Sequence, residues 1–280
     1  MRFNGAVMVG IGGGTPDRVL LGWAADEAAA RAAHLVVCHI RERGEPDRSH
    51  DAAESPGSAE FLVREAAGIA RSWFPDLEVS TAVGDGQLVP ALLRASKDAR
   101  MLVVGARGTG GFAGLRLGSV ADQVAAHAQC PVAVVHQPSS PDSVDVVVGV
   151  DGSSHSDTTL RLAAAEARRF GGRLLVVHAY RLPPPAEYGP NAGVDEPHHR
   201  ANAEELLERA LTRLGPAQAE LKIETRAVHA GSAAALLEAS SAAAVIVVGA
   251  RGSGGFTGLA LGSVSQQVLR HASCAVIVAR

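Results

Sequence analysis

Short apolar runs alternate along this chain with longer stretches in which apolar residues recur every three or four positions. The runs at 6–11, 35–40, 77–83, 100–104 and 131–135 predict five strands, and the segments 17–33, 58–73, 87–98 and 119–128 predict four helices between them. In the first helical segment Leu20, Leu21, Ala24, Ala28 and Ala32 fall on one face. The run LVVCHI at 35–40 is unbroken, the pattern of a strand buried on both sides. A polar stretch at 41–57 reads as a loop, and a polar linker with two prolines spans 136–145. The series then restarts. Strands are predicted at 146–150, 173–178, 221–228, 245–248 and 275–279, and helices at 156–170, 200–214, 232–240 and 263–272, with a proline-rich loop at 181–199. Strict strand–helix alternation implies parallel sheets with right-handed crossovers. The expectation is an α/β chain of two repeated, doubly wound, Rossmann-like domains, 1–138 and 144–280, each with five parallel strands.

The two halves share one stretch almost letter for letter. Residues 105–120 read GARGTGGFAGLRLGSV and residues 249–264 read GARGSGGFTGLALGSV, identical at all but three positions and offset by 249 − 105 = 144. Each copy follows an apolar strand and runs into a helix. Glycines let backbone N–H groups approach a ligand closely, and a helix N-terminus is electropositive, so the arrangement suits an anion such as phosphate. Gly105, Gly108, Gly118 and Ser119 in the first copy, and Gly249, Gly252, Gly262 and Ser263 in the second, follow the spacing G-x2-G-x9-G-S. This is neither the P-loop nor the dinucleotide G-x-G-x-x-G spacing. The Gly10–Gly14 cluster also lacks the latter, since position 15 is Thr.

The G-x2-G-x9-G-S loop after the fourth strand of an α/β unit resembles the nucleotide loop of the universal stress protein family, and the likeness extends over nearly the whole chain. The resemblance implies a tandem protein with strand order 3-2-1-4-5 in each half and ATP, with Mg2+, as the ligand. In the second half it places Asp151, at the end of the first strand, beside the Gly249 loop, as a partner for ribose hydroxyls or for the metal. It makes Ser265 the second hydroxyl after that of Ser263, and sets Ala179 and Tyr180 where the family packs adenine. The residues themselves leave Asp151 open as a helix-capping or turn aspartate, and Tyr180 as a loop aromatic. The first half departs twice: Gly12 stands against Asp151, and Ala121 against Ser265. Each lost hydrogen bond to a charged or polar ligand costs about 1.5–3 kcal/mol, so the second half is expected to be the stronger site.

Composition changes this picture little. With 47% hydrophobic and 20% charged residues the chain can fill two cores, and a net charge of −3 gives no reason to expect nucleic acid. No apolar run is long enough for a membrane span and no signal-peptide pattern leads the chain, so a cytoplasmic protein is expected. Cys38, Cys130 and Cys274 form no disulfide framework. Arg107 and Arg251 sit inside the loops, within reach of phosphate or of solvent. The repeated pairs His39/His178 and His127/His271 read as backbone-bonded strand-end and helix-end histidines, and His198-His199 falls in the long loop. No nucleophile–base set repeats in the two halves, so at most slow ATP hydrolysis is expected. The function implied is nucleotide-dependent regulation of stress or dormancy adaptation; the alternatives are a slow ATPase and a non-binding scaffold. The apolar last strands, 131–135 and 275–279, would be sheet edges. The family pairs through this strand, which implies an intrachain pseudo-dimer and a homodimer.

Overall fold

The computed structural model describes residues 4–12, 17–41, 58–107, 116–136, 142–182, 196–254 and 260–280. The chain divides into two compact units, Met1–Gln137 and Pro138–Arg280. The first contains β1 (Val7–Gly10), α1 (Arg18–Ala30), β2 (Leu35–Arg41), α2 (Ala59–Trp73), β3 (Val79–Asp85), α3 (Leu88–Ala95), β4 (Met101–Gly105), α4 (Ser119–His127) and β5 (Val132–Val135). The second contains β6 (Val146–Gly149), α5 (Ser154–Phe170), β7 (Arg173–Tyr180), α6 (Glu196–Leu214), β8 (Lys222–His229), α7 (Ser232–Ala239), β9 (Val245–Gly249), α8 (Ser263–His271) and β10 (Ala275–Ala279).

Within the first unit the strand order is β3-β2-β1-β4-β5, and within the second β8-β7-β6-β9-β10. Every pairing within each unit is parallel. The expected order 3-2-1-4-5 is therefore present twice, and the registers repeat: Val7 faces Leu35 and Met101, as Val146 faces Leu174 and Val245. In each unit the first strand sits at the centre with the second and fourth beside it. The chain thus reverses its winding direction between those neighbours, and their carboxyl ends open a crevice there.

The central strands are apolar throughout because both faces are covered. Val7, Val9, Val103, Val146, Val148, Ile246 and Val247 are completely buried. The helices meet the sheet with small side chains, Ala24 and Ala28 on α1 and Ala163 and Ala167 on α5, with Leu21 and Leu160 as the large buried residues at matching positions. Asp17 caps α1 by accepting from the Val19 and Leu20 amides at 3.0 and 3.2 Å, and Ser58 caps α2 through the Phe61 amide at 3.1 Å. By contrast α4 and α8 follow Gly118 and Gly262 and have no side-chain cap. Their first amides therefore stay available at the crevice.

Several element ends differ from the sequence expectation by one to three residues, as at α3, which stops at Ala95 rather than 98, and β7, which runs on to Tyr180; two of the shifts have a plain physical cause. The third strand lies at Val79–Asp85 rather than 77–83, because its length is set by pairing with β2 up to Arg41 and Asp85. Those two side chains also form a bidentate ion pair, at 2.8 and 3.2 Å. The helix expected from residue 200 begins at Glu196, so His198 and His199 lie in its first turns, not in a loop. Pro197 is tolerated there because first-turn amides need no intrahelical acceptor, and Glu196 suits the positive end of the helix.

A cavity at the α5–sheet contact should be costly. Leu160→Ala is expected to lower the stability of the second unit by about 2–5 kcal/mol in urea unfolding. A loss well under 1 kcal/mol would contradict the packing described.

Candidate functional site

The carboxyl ends of β6, β7 and β9 and the N-terminus of α8 enclose a cleft of about 350 Å3, a size typical of small-ligand sites. Asp151, Ala179, Gly249, Gly252, Gly262, Ser263 and Ser265 all line it. They come from three separate stretches of sequence and are brought together by the strand order. Val150, Val177, Leu236 and Val248 supply apolar wall, while the Gly249–Gly254 loop, Ser263 and Asp151 make the other side polar.

Asp151 is the most heavily bonded group there. Its Oδ1 accepts from the Ser153 amide at 3.1 Å, from the Ser153 hydroxyl at 2.7 Å and from the Ser156 hydroxyl. Its Oδ2 accepts from the backbone amide of Ser253, across 102 residues of sequence. Burial alone would raise this carboxyl's pKa, but the hydrogen bonds from Ser156, Ser153 and the Ser253 amide outweigh it and bring the pKa down to about 2. Asp151 is thus both the turn aspartate before α5 and a cleft-lining carboxylate. With three donors on Oδ1 and one on Oδ2, Oδ2 retains capacity for a ligand.

The loop's base is fixed by backbone bonds that repeat in both units. The Ala250 amide donates to the Ala279 carbonyl at 2.9 Å, and the Gly262 amide to the Ala250 carbonyl at 2.8 Å. The corresponding bonds are Ala106 to Val135, 2.9 Å, and Gly118 to Ala106, 2.7 Å. Gly252 leaves room for the carboxylate: a Cβ there would lie 2.6 Å from Asp151 Oδ2. A Cβ on Gly249 would lie 2.9 Å from the Arg251 carbonyl. The Ser265 hydroxyl is buried and donates to the Gly249 carbonyl at 2.6 Å. It therefore braces the loop instead of presenting a free donor to the cleft. Arg251 also lines the cleft.

The family model described as "Universal stress protein family" matches residues 4–136 and again 145–280. The chain belongs to the universal stress protein family. A universal stress protein of Mycobacterium tuberculosis is 37% identical over 196 residues, covering 69% of this chain and 65% of the relative, so that match spans just under two thirds of the relative's length. Another, from the same organism, is 32% identical over 100% of this chain and 98% of its own. The crystal structure of a universal stress protein from Archaeoglobus fulgidus shares the fold with a TM-score of 0.69 at 19% identity, covering 100% of this chain and 97% of that one.

In the first universal stress protein unit Gly105, Gly118 and Ser119 take the same places at the end of β4 and the start of α4, whereas Gly108 lies outside the described residues. Gly12 follows β1 and is exposed, and Ala121, buried, fills the place of Ser265. By the 139-residue offset that aligns Gly12 with Asp151, Ser156 corresponds to Asp17, which caps α1. Burial, then the charges of Arg116 and Arg107, bring the His136 pKa down to about 4. His39 and His178 repeat one bond, ring Nδ1 to the carbonyls of Ile11 and Val150 at 3.0 and 2.8 Å. A carbonyl only accepts, so Nδ1 carries the hydrogen in both. Tyr180 stacks on His229 with ring centroids 5.5 Å apart. The three cysteines are buried.

The sequence reading missed Ser156 and Ser253. Ser156 sits one turn into the D-G-S-S-H-S run, where a serine reads as a helix cap. Ser253 acts through its backbone amide, which no side-chain pattern marks.

The Asp151 network gives a signed pH dependence. A carboxyl whose pKa is lowered on folding contributes stability that is complete above its unfolded pKa, about 4, and is lost as pH falls toward about 2. Allowing for solvent screening of a half-exposed group, the contribution is on the order of 1 kcal/mol. Asp151→Asn is therefore expected to be less stable than the parent at pH 7, with the difference shrinking between pH 4 and pH 2. A difference independent of pH would contradict the assignment.

Proposed function

We propose that this universal stress protein binds an adenine nucleotide, ATP with Mg2+, in the cleft of its second unit, and that it acts as a nucleotide-dependent regulator of stress or dormancy adaptation. The observation that carries the reading is the convergence of Asp151, the glycine loop and the uncapped start of α8 on one cleft. The α8 amides and the loop amides hold the phosphates. Ala179 and the apolar wall of Val150, Val177 and Leu236 receive the base. Asp151 Oδ2 takes a ribose hydroxyl or the cation.

The donor set fits magnesium. Mg2+ is commonly held by one or two carboxylates together with the ligand's own phosphates. Among the described residues no three acidic, histidine or cysteine side chains gather into a metal site, so Asp151 would hold the cation jointly with phosphate. When bound, the cation offsets phosphate charge beside the carboxylate. The chain's own groups orient the nucleotide and cover it.

The second unit is the stronger site because it has Asp151 where the first has Gly12, and Ser265 bracing the loop where the first has Ala121. Association into a homodimer, action in the cytoplasm and independence from nucleic acid complete the proposal. Among the described residues no helix is long and apolar enough to cross a membrane.

Calorimetric titration with Mg-ATP should show one dominant site per chain. Gly252→Val, which forces a side chain against Asp151, should weaken it at least about tenfold. Gly12→Asp should strengthen binding in the first unit. Two equal sites in the parent would contradict the asymmetry, and no binding would contradict the nucleotide reading.

A further inference from the structure

In the second unit the cradle of the glycine loop already holds a negative charge, and it belongs to the protein. Asp151 is anchored by its Oδ1 to Ser153 and Ser156, which leaves Oδ2 pointing across the crevice to the Ser253 amide. The missing Cβ of Gly252 provides the space in which Oδ2 rests. The Ser253 amide is one of the loop donors a phosphate oxygen would use, and both residues line the same cleft. A phosphate arriving there needs a donor that is engaged, and it brings like charge against the oxygen that engages it.

We propose that Asp151 is the resident anion of the glycine loop, and that a phosphate ligand binds by exchange, displacing Asp151 Oδ2 from the Ser253 N–H. The inference rests on the nucleotide reading above and adds the step by which the loop is opened. Ser253 thereby becomes a phosphate-contacting donor, held in place by the carboxylate until ligand arrives. In the presence of a cation, Oδ2 would gain a second partner and leave the Ser253 N–H more readily. Bare polyphosphate, with neither base, ribose nor metal, meets the contest in its simplest form.

The test titrates the whole chain calorimetrically with tripolyphosphate in the absence of divalent cation. Asp151→Asn, which removes the charge, and Asp151→Ala, which removes the acceptor, should each bind tripolyphosphate at least about tenfold more tightly than the parent. Adding Ser253→Pro, which deletes the N–H, should abolish that gain. In parallel, hydrogen exchange of the 251–254 amides should be faster in both Asp151 variants than in the parent, with protection of the sheet unchanged. Equal tripolyphosphate affinity in parent and variants would overturn the proposal, as would unaltered exchange in the loop. Mg-ATP binding by the parent with no tripolyphosphate gain means that the exchange fails and the nucleotide reading stands. A tripolyphosphate gain without any Mg-ATP binding means the reverse.

Discussion

The adjacency of β6 and β9 in the second sheet is the constraint on which the cleft depends. Their pairing, Val146 with Val245 through Val148 with Val247, ends both strands at the same level. The residues that follow, Asp151 and the Gly249–Gly254 loop, must then share one space. Because the strands are buried on both faces, a slip in register would expose valines or break the ladder. The hydrogen bond between groups 102 residues apart, Asp151 and Ser253, is a consequence of hydrophobic packing well below it. The crevice is therefore built by the core, and its polar groups are positioned by apolar residues that never meet a ligand.

The two units repeat one framework with different residues set into it. Their registers and loop-base bonds are the same, from Gly118–Ala106 to Gly262–Ala250. What differs at the matched positions is the carboxylate with its supports and the Ser265 hydroxyl, which Ala121 replaces. Asp151 with Ser153 and Ser156 forms a charge-assisted cluster at the end of β6, whereas after β1 the chain has Gly12, and the carboxylate of Asp17 is used to cap its own helix. A charge held by several hydrogen bonds in a half-buried position orders the loop beside it.

Much of this was legible in the sequence, for physical reasons. Runs such as 35–40 and 245–248 declare strands buried on both faces, and the glycine loop after β9 declares the crevice of the second unit. The third strand was placed less well, because β3 takes its limits from β2 and the Arg41–Asp85 pair rather than from its own pattern. Pro197 concealed the start of α6. Asp151 could be singled out, but its two roles could not be separated, since capping and ligand binding ask for the same side chain at the end of the same strand. The Ser265 hydroxyl suggested a ligand contact, yet in the fold it braces Gly249. Ser253 was beyond reach, because a backbone amide leaves no trace in the sequence.

The nucleotide is proposed to reside in one unit of this universal stress protein, the second. Mass spectrometry of small molecules released by heat from the freshly purified chain, with adenine nucleotide quantified per chain, tests it most directly. About one ATP per chain is expected. Two per chain would contradict the inequality of the units, and none, with no uptake of added Mg-ATP, would contradict the nucleotide itself.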